Sequence, residues 1–163
     1  MQLRTARLVA VLPRTYEGQV CSVARTLEAM GDRWTMLVIR EAFLGTRRFD
    51  DYQRNLGVAR NVLADRLARL VDEGILGRRR YQERPDRFEY SLTEKGIDLW
   101  PVLVSLMKWG DRYAAPDGPP MLILHRGCGG EVNERFICEK CGEPVDARSA
   151  EARPGPGRRV AAA

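Results

Sequence analysis

At 163 residues the chain has room for one domain, or for one domain with a small appendage. Hydrophobic residues make up 44% and charged residues 30%, the makeup of a globular protein with a real core. No stretch approaches the roughly 18 apolar residues that a membrane helix needs. The balance of 27 basic to 22 acidic residues, a net +5, favours polyanionic partners. The N-terminal apolar run Leu8–Leu12 is too short for a secretory leader, so a cytoplasmic protein is expected, with no membrane partner. A Ser-His-Asp hydrolase is all but excluded, because the single histidine, His125, sits among cysteines.

Composition divides the chain into four pieces. Residues 1–20 form an irregular arm interrupted by Pro13 and Gly18. Residues 21–115 carry dense, regular periodicity. The run Ala115-Pro116-Asp117-Gly118-Pro119-Pro120 is a linker. Residues 121–146 hold a His/Cys cluster, and the Ala/Arg/Pro/Gly-rich residues 147–163 have so little to bury that a disordered tail is expected.

Within the central piece, Ser22 can cap a short helix ending at Gly31, with Leu27 and Met30 in its buried stripe. Asp32 can cap a second helix, where Trp34, Leu37, Val38 and Phe43 or Leu44 share a face, and Gly45 ends it. A third, short helix starts at Asp50, contains Tyr52 and stops before Gly57. A fourth runs from about Ala59 to Glu73, with Leu63, Leu67, Leu70 and Val71 spaced as one buried stripe and Gly74 as its terminator. The period then changes to two. Ile75-Leu76, the basic run Arg78-Arg79-Arg80-Tyr81, a turn at Pro85-Asp86 and Phe88-Glu89-Tyr90-Ser91-Leu92 predict a β-hairpin. Thr93 can cap a last helix from about Glu94 to Tyr113, kinked at Pro101. Its large apolar residues stand at too many angles for one core face, which predicts packing against a second copy; burial of the helix within its own domain is the alternative.

Three short helices, a longer helix and a two-stranded basic ribbon make a winged helix-turn-helix, a mainly α fold with a small β-hairpin. The fourth helix commits Leu63, Leu67 and Leu70 to the core, so Arg60, Asn61, Ala64, Asp65 and Arg69 face outward, with Arg66 at the flank. Arg60 and Asn61 suit guanine and adenine edges respectively, and small Ala64 and Ala68 permit close approach to a major groove. Arg78, Arg79, Arg80, Arg84 and Arg87 on the ribbon can reach phosphates or a minor groove of double-stranded DNA.

These residues resemble a known family. The run Cys21-Ser22-Val23-Ala24-Arg25-Thr26-Leu27, then Gly31-Asp32-Arg33-Trp34-Thr35, Arg48-Phe49, Asn61 to Leu67, Asp72 to Leu76 and Tyr90 to Gly96 are similar to the HxlR-type helix-turn-helix regulators of bacteria and archaea, relatives of MarR-type regulators. The resemblance covers about residues 20–114. It implies a homodimeric winged-helix DNA-binding transcriptional regulator. A two-fold dimer would read an inverted repeat. The single histidine, placed among cysteines with no carboxylate positioned as a general base, argues against an enzyme. Ala59 stands where the family commonly has a small hydroxyl residue, which removes a helix cap. The resemblance also implies that Cys21, a thiol at a helix N-terminus, is a candidate redox sensor; packing is its alternative role.

His125-Arg126-Gly127-Cys128 and Cys138-Glu139-Lys140-Cys141 form HxxC and CxxC pairs separated by nine residues, each followed by glycine. This spacing predicts a zinc-ribbon-like unit with a closed structural site made by His125, Cys128, Cys138 and Cys141. Iron suits the same donors, and disulfide chemistry is the alternative use of the cysteines. Val132, Phe136, Ile137 and Val145 are too few to hold this piece without metal. A small-molecule effector could sit in a pocket lined by Trp34, Trp100 and Trp109. The competing reading of the whole chain is a winged-helix protein-interaction module without specific DNA binding.

Overall fold

The computed structural model describes residues 22–133 and 135–154. The expected arm at 1–20 and Cys21 lie outside the described residues, as does the end of the tail. In chain order the described elements are α1 (Ser22–Met30), α2 (Thr35–Phe43), α3 (Phe49–Leu56), α4 (Arg60–Asp72), β1 (Leu76–Glu83), β2 (Asp86–Leu92), α5 (Glu94–Ile97), α6 (Trp100–Tyr113), β3 (Met121–His125) and β4 (Ala150–Pro154). Helices α2 to α4 and the β1–β2 hairpin surround one hydrophobic core, built from Val38, Ile39 and Ala42 of α2, Tyr52 of α3, Leu63, Leu67 and Leu70 of α4, and Ile75 and Leu76 leading into β1. Leu63, Leu67 and Leu70 recur at helical spacing, so α4 buries one stripe and leaves the other side to solvent.

The hairpin runs in register from Leu76 opposite Leu92 to Glu83 opposite Asp86, with an irregularity between Arg80 and Gln82. It is fastened to the helices through the segment ahead of α3. The Tyr90 N–H donates to the Arg47 carbonyl at 2.8 Å, and Arg48 bridges Glu89. A buried carboxylate that the hydrophobic pattern did not reveal secures the same corner. Glu41 accepts from Arg40 at 2.8 Å, Asn55 at 2.8 Å and Thr46 at 3.1 Å, so its desolvation is offset by three donors.

Four expectations need correction. Asp32 acts just ahead of the predicted helix start: its Oδ1 accepts the Trp34 N–H at 3.1 Å, and α2 begins at Thr35. Pro101 does not kink one long helix but opens a second. Without an N–H it offers no partner for the Ile97 carbonyl, and its ring would clash there, so α5 stops at Ile97 and α6 begins with proline in its first turn. Leu27 is 44% exposed rather than buried, and in α1 it is Ala24 and Met30 that are covered. Finally, the unit expected at 121–146 extends to Pro154. Residues 150–154, placed in the expected disordered tail, form β4 and pair antiparallel with β3, His125 opposite Ala150 and Met121 opposite Pro154.

This C-terminal unit lies against α6. A second core joins Trp100 and Val104 of α6 to Ile123, Val132, Cys138, Val145 and Ala150, and the Trp100 and Phe136 rings stand 5.6 Å apart. Lys108 of α6 pairs with Glu131 at 2.9 Å, and Arg148 pairs with Glu94 at 2.7 Å. The opposite side of α6 is bare: Val102, Leu106, Trp109 and Tyr113, at helical spacing, are 46–66% exposed. Val23 and Leu27 of α1 add further exposed apolar surface. No helix among the described residues is long and apolar enough to cross a membrane.

Candidate nucleic-acid interface and metal centre

The outward side of α4 carries Arg60, Asn61, Ala64, Asp65 and Ala68, all exposed, as the leucine stripe requires. Ala59 occupies the N-cap position in an extended conformation and supplies no side-chain cap. Arg60 is held at the mouth of the helix by two residues of α3. Its guanidinium lies 4.6 Å from the centre of the Phe49 ring and 3.5 Å from Asp50. Asp50 also faces Arg87 of the hairpin at 4.0 Å, so the first turn of α4 and the wing converge on one carboxylate. The cleft between them holds about 440 Å³ and is walled by Arg48, Arg54, Tyr81, Phe88 and Tyr90 as well.

The remaining arginines divide by partner. Arg66 turns inward: its guanidinium grips Asp32 at 2.7 Å while touching Asp65 at 3.2 Å, tying α4 to the turn ahead of α2. Arg69 donates to the Glu28 carbonyl at the end of α1. Both therefore serve the packing of the helices, whatever else they touch. On the wing, Arg78 stacks over Phe88 at 4.3 Å and Arg80 pairs with Asp86 at 3.3 Å. Arg79 shares Glu89 with Arg48, and the two donors hold the Glu89 carboxyl below the usual carboxylate range. Arg84, at the tip, has no ion-pair partner among the described residues; its own carbonyl accepts from Gln82 at 2.9 Å. Arg48 and Arg54 belong to this surface and the sequence reading missed them. The signal was the Arg47-Arg48 pair just ahead of α3, whose place opposite the hairpin only the tertiary fold reveals.

Trp34, Trp100 and Trp109 do not converge. Trp34 packs on the first core, Trp100 lies within the second, and Trp109 projects beside Tyr113 on the bare face of α6. The expected three-tryptophan pocket is therefore corrected. Trp109 enters a groove of about 320 Å³ lined by Val104, Lys108, Tyr113 and Phe136 in addition.

The four metal-ligand candidates do meet. His125, at the end of β3, Cys128, Cys138 and Cys141 bring their ligand atoms within 4.8 Å of one another. His125 Nδ1 stands 3.5 Å from both Cys128 Sγ and Cys141 Sγ, and Cys128 Sγ stands 3.0 Å from Cys138 Sγ and 3.5 Å from Cys141 Sγ. Thiolates around a tetrahedral zinc lie about 3.8 Å apart, so Cys128 and Cys141 are near that spacing and Cys128 and Cys138 are closer together than it. The three cysteines are free, not disulfide-bonded. The turns that follow each pair have the geometry that a metal knuckle would need. Gly129 and Gly142 both take positive φ, and a Cβ at Gly130 would lie 2.5 Å from Cys138 Sγ. The backbone N–H of Gly130 points at Cys128, and those of Lys140 and Cys141 point at Cys138. Hydrogen bonding from Cys128, then from those two amides, holds the Cys138 thiol down at about 6. The same contact pushes the Cys128 thiol up, so the pair shares one proton, and metal ligation would require both sulfurs as thiolates. This donor set can bind a metal ion.

A helix-turn-helix with an arginine-rich wing and an outward-facing fourth helix defines a winged-helix DNA-binding transcriptional regulator. The comparisons with known proteins agree. The family model for an HxlR-like helix-turn-helix matches residues 29–118, and the chain belongs to that family. The uncharacterized HTH-type transcriptional regulator Rv3095 of Mycobacterium tuberculosis is 47% identical over 150 residues, covering 91% of this chain and 94% of the relative. The crystal structure of PA1607, a transcription-factor candidate, superposes with a TM-score of 0.66 and 38% identity over 81% of this chain and 93% of that one. The reduced form of the redox regulator HypR superposes with a TM-score of 0.53 and 30% identity, covering 56% of this chain and 92% of its own. The first two matches span far more of this chain than HypR does.

Proposed function

We propose that the protein acts as a homodimer on an inverted-repeat operator, inserting α4 of each protomer into a major groove and laying each wing along the flanking backbone. The observation that carries this reading is the shared exposed surface: Arg60, Asn61, Ala64 and Asp65 face solvent opposite the leucine stripe, and Asp50 joins Arg60 to Arg87 of the wing. Arg60 and Asn61 read base edges; Arg78, Arg79, Arg80, Arg84 and Arg87 bind phosphates, with Arg66 and Arg69 close by in supporting roles. The bare α6 stripe, with Val23 and Leu27 of α1, supports two-fold pairing, which would set the recognition helices about 34 Å apart. A gel shift with the chain's own upstream region tests the proposal. Asn61→Ala should lose the specific complex while keeping weak binding to unrelated DNA. No specific shift from the native protein would favour a protein-interaction module.

His125, Cys128, Cys138 and Cys141 hold a structural zinc that fastens the C-terminal unit to α6. The support is the convergence of four donors, the amides turned on their sulfurs and the small apolar core behind them. The redox response named for HypR supports an oxidant-sensing role for Cys21. Peroxide should then weaken DNA binding in the native protein and leave Cys21→Ser unaffected.

A further inference from the structure

We infer that Phe49 and Asp50 are positioning residues for base reading, and that Asp50 sharpens discrimination between DNA sequences at the expense of raw affinity. The inference rests on the reading of α4 as the base-contacting helix. Arginine side chains are long and lose rotamer freedom when they bind. A bidentate contact to guanine rewards one orientation of the guanidinium. Arg60 is restrained on two sides: its Cζ lies over the Phe49 ring, 4.6 Å from the centre, and its Nη1 lies 3.5 Å from Asp50 Oδ1. Phe49 is itself anchored, since it packs on the first core. Arg87 of the wing meets the other oxygen of Asp50, at 4.0 Å. Asp50 therefore couples the base-reading helix to the backbone-binding hairpin.

Its charge gives it a second effect. A carboxylate within a surface that meets phosphates repels any duplex, whatever its sequence. It also restrains Arg60 and Arg87 from pairing with whichever phosphate arrives first. That penalty falls on every DNA alike. The gain from an ordered Arg60 falls only on a site that offers the matching base. Specificity is the difference between the two.

The test uses a duplex selected by the native protein from a randomised library, the same duplex with its guanines replaced one at a time, and a random-sequence duplex. Arg60→Ala should lose about tenfold in discrimination at one guanine. Asp50→Asn should lose about threefold at the same guanine while binding the random duplex up to about fivefold more tightly, the range of an exposed charge pair. Phe49→Leu, which keeps an apolar side chain against the core, should reproduce the loss of discrimination without changing the salt dependence. In an Arg60→Ala background, Asp50→Asn should no longer alter discrimination, because its effect runs through Arg60. Thermal unfolding of each variant separates misfolding from altered reading. Unchanged discrimination in Asp50→Asn, or an equal loss with Arg60 already removed, would overturn the inference. Unchanged discrimination in Arg60→Ala itself would overturn the reading of α4 on which it stands.

Discussion

Arg84 offers the sharpest quantitative test of how the wing binds DNA. It sits at the hairpin tip, outside every ion pair of the described residues, whereas Arg80 must first give up Asp86 and Arg79 must give up Glu89. Arg84→Ala therefore removes a phosphate contact without freeing an acid. Each neutralised phosphate contributes about 0.9 to the slope of log affinity against log salt. A two-fold dimer presents two wings, so the substitution should reduce that slope by about 1.8. Between 50 and 200 mM potassium chloride, a fourfold rise, the native protein's advantage over the variant should shrink by about twelvefold. Fluorescence anisotropy with a labelled duplex, repeated across that salt range, reads the slope directly. A reduction near 0.9 would mean that one wing touches DNA. An unchanged slope would refute the reasoning, and so would a loss confined to particular bases. Arg80→Ala should give a smaller change, because Asp86 and Glu83 lose their cation at the same time.

Three further expectations follow from the packing. Chelation, or Cys138→Ser, should release close to one zinc per chain and shift Trp100 fluorescence to the red, because that ring is buried against Phe136 and the C-terminal His/Cys unit; a native protein without metal and with Trp100 still buried would contradict the metal proposal. Leu106→Asp, on the bare α6 stripe, should convert the dimer to monomer in sedimentation velocity and weaken DNA binding, while leaving the chain folded. Tyr52→Phe should leave stability unchanged or raise it by up to about 1 kcal/mol in thermal unfolding, because the Tyr52 hydroxyl is buried with no hydrogen-bond partner among the described residues and its removal relieves a desolvation cost.

Much of the regulator could be read from residue order because its helices are amphipathic and bounded by local signals. The leucine stripe of α4, the glycine that ends α3 and the alternation of Phe88, Tyr90 and Leu92 each announce one element. The His/Cys cluster was legible for a similar reason, since two close pairs of donors with glycine behind them suit a metal knuckle. Other features depended on distant partners. Pro101 read alone suggests a kink, but the Asp98-Leu99 turn between α5 and α6 absorbs it. Ala150–Pro154 has no apolar pattern of its own and becomes a strand only because β3 offers it an edge. Leu27 looked like core because its covering surface, on the dimer reading, belongs to another copy. Asp50 looked like a helix-start residue; its place between Arg60 and Arg87 exists only once the hairpin folds back over α3.

Protection of guanine N7 from methylation, mapped along a selected duplex, measures the central claim most directly, because N7 lines the major groove. Two clusters of protected guanines about ten base pairs apart, each lost in Arg60→Ala or Asn61→Ala, are the expected result. Bound protein that leaves every guanine N7 as reactive as in free DNA would contradict the placement of α4 in the major groove.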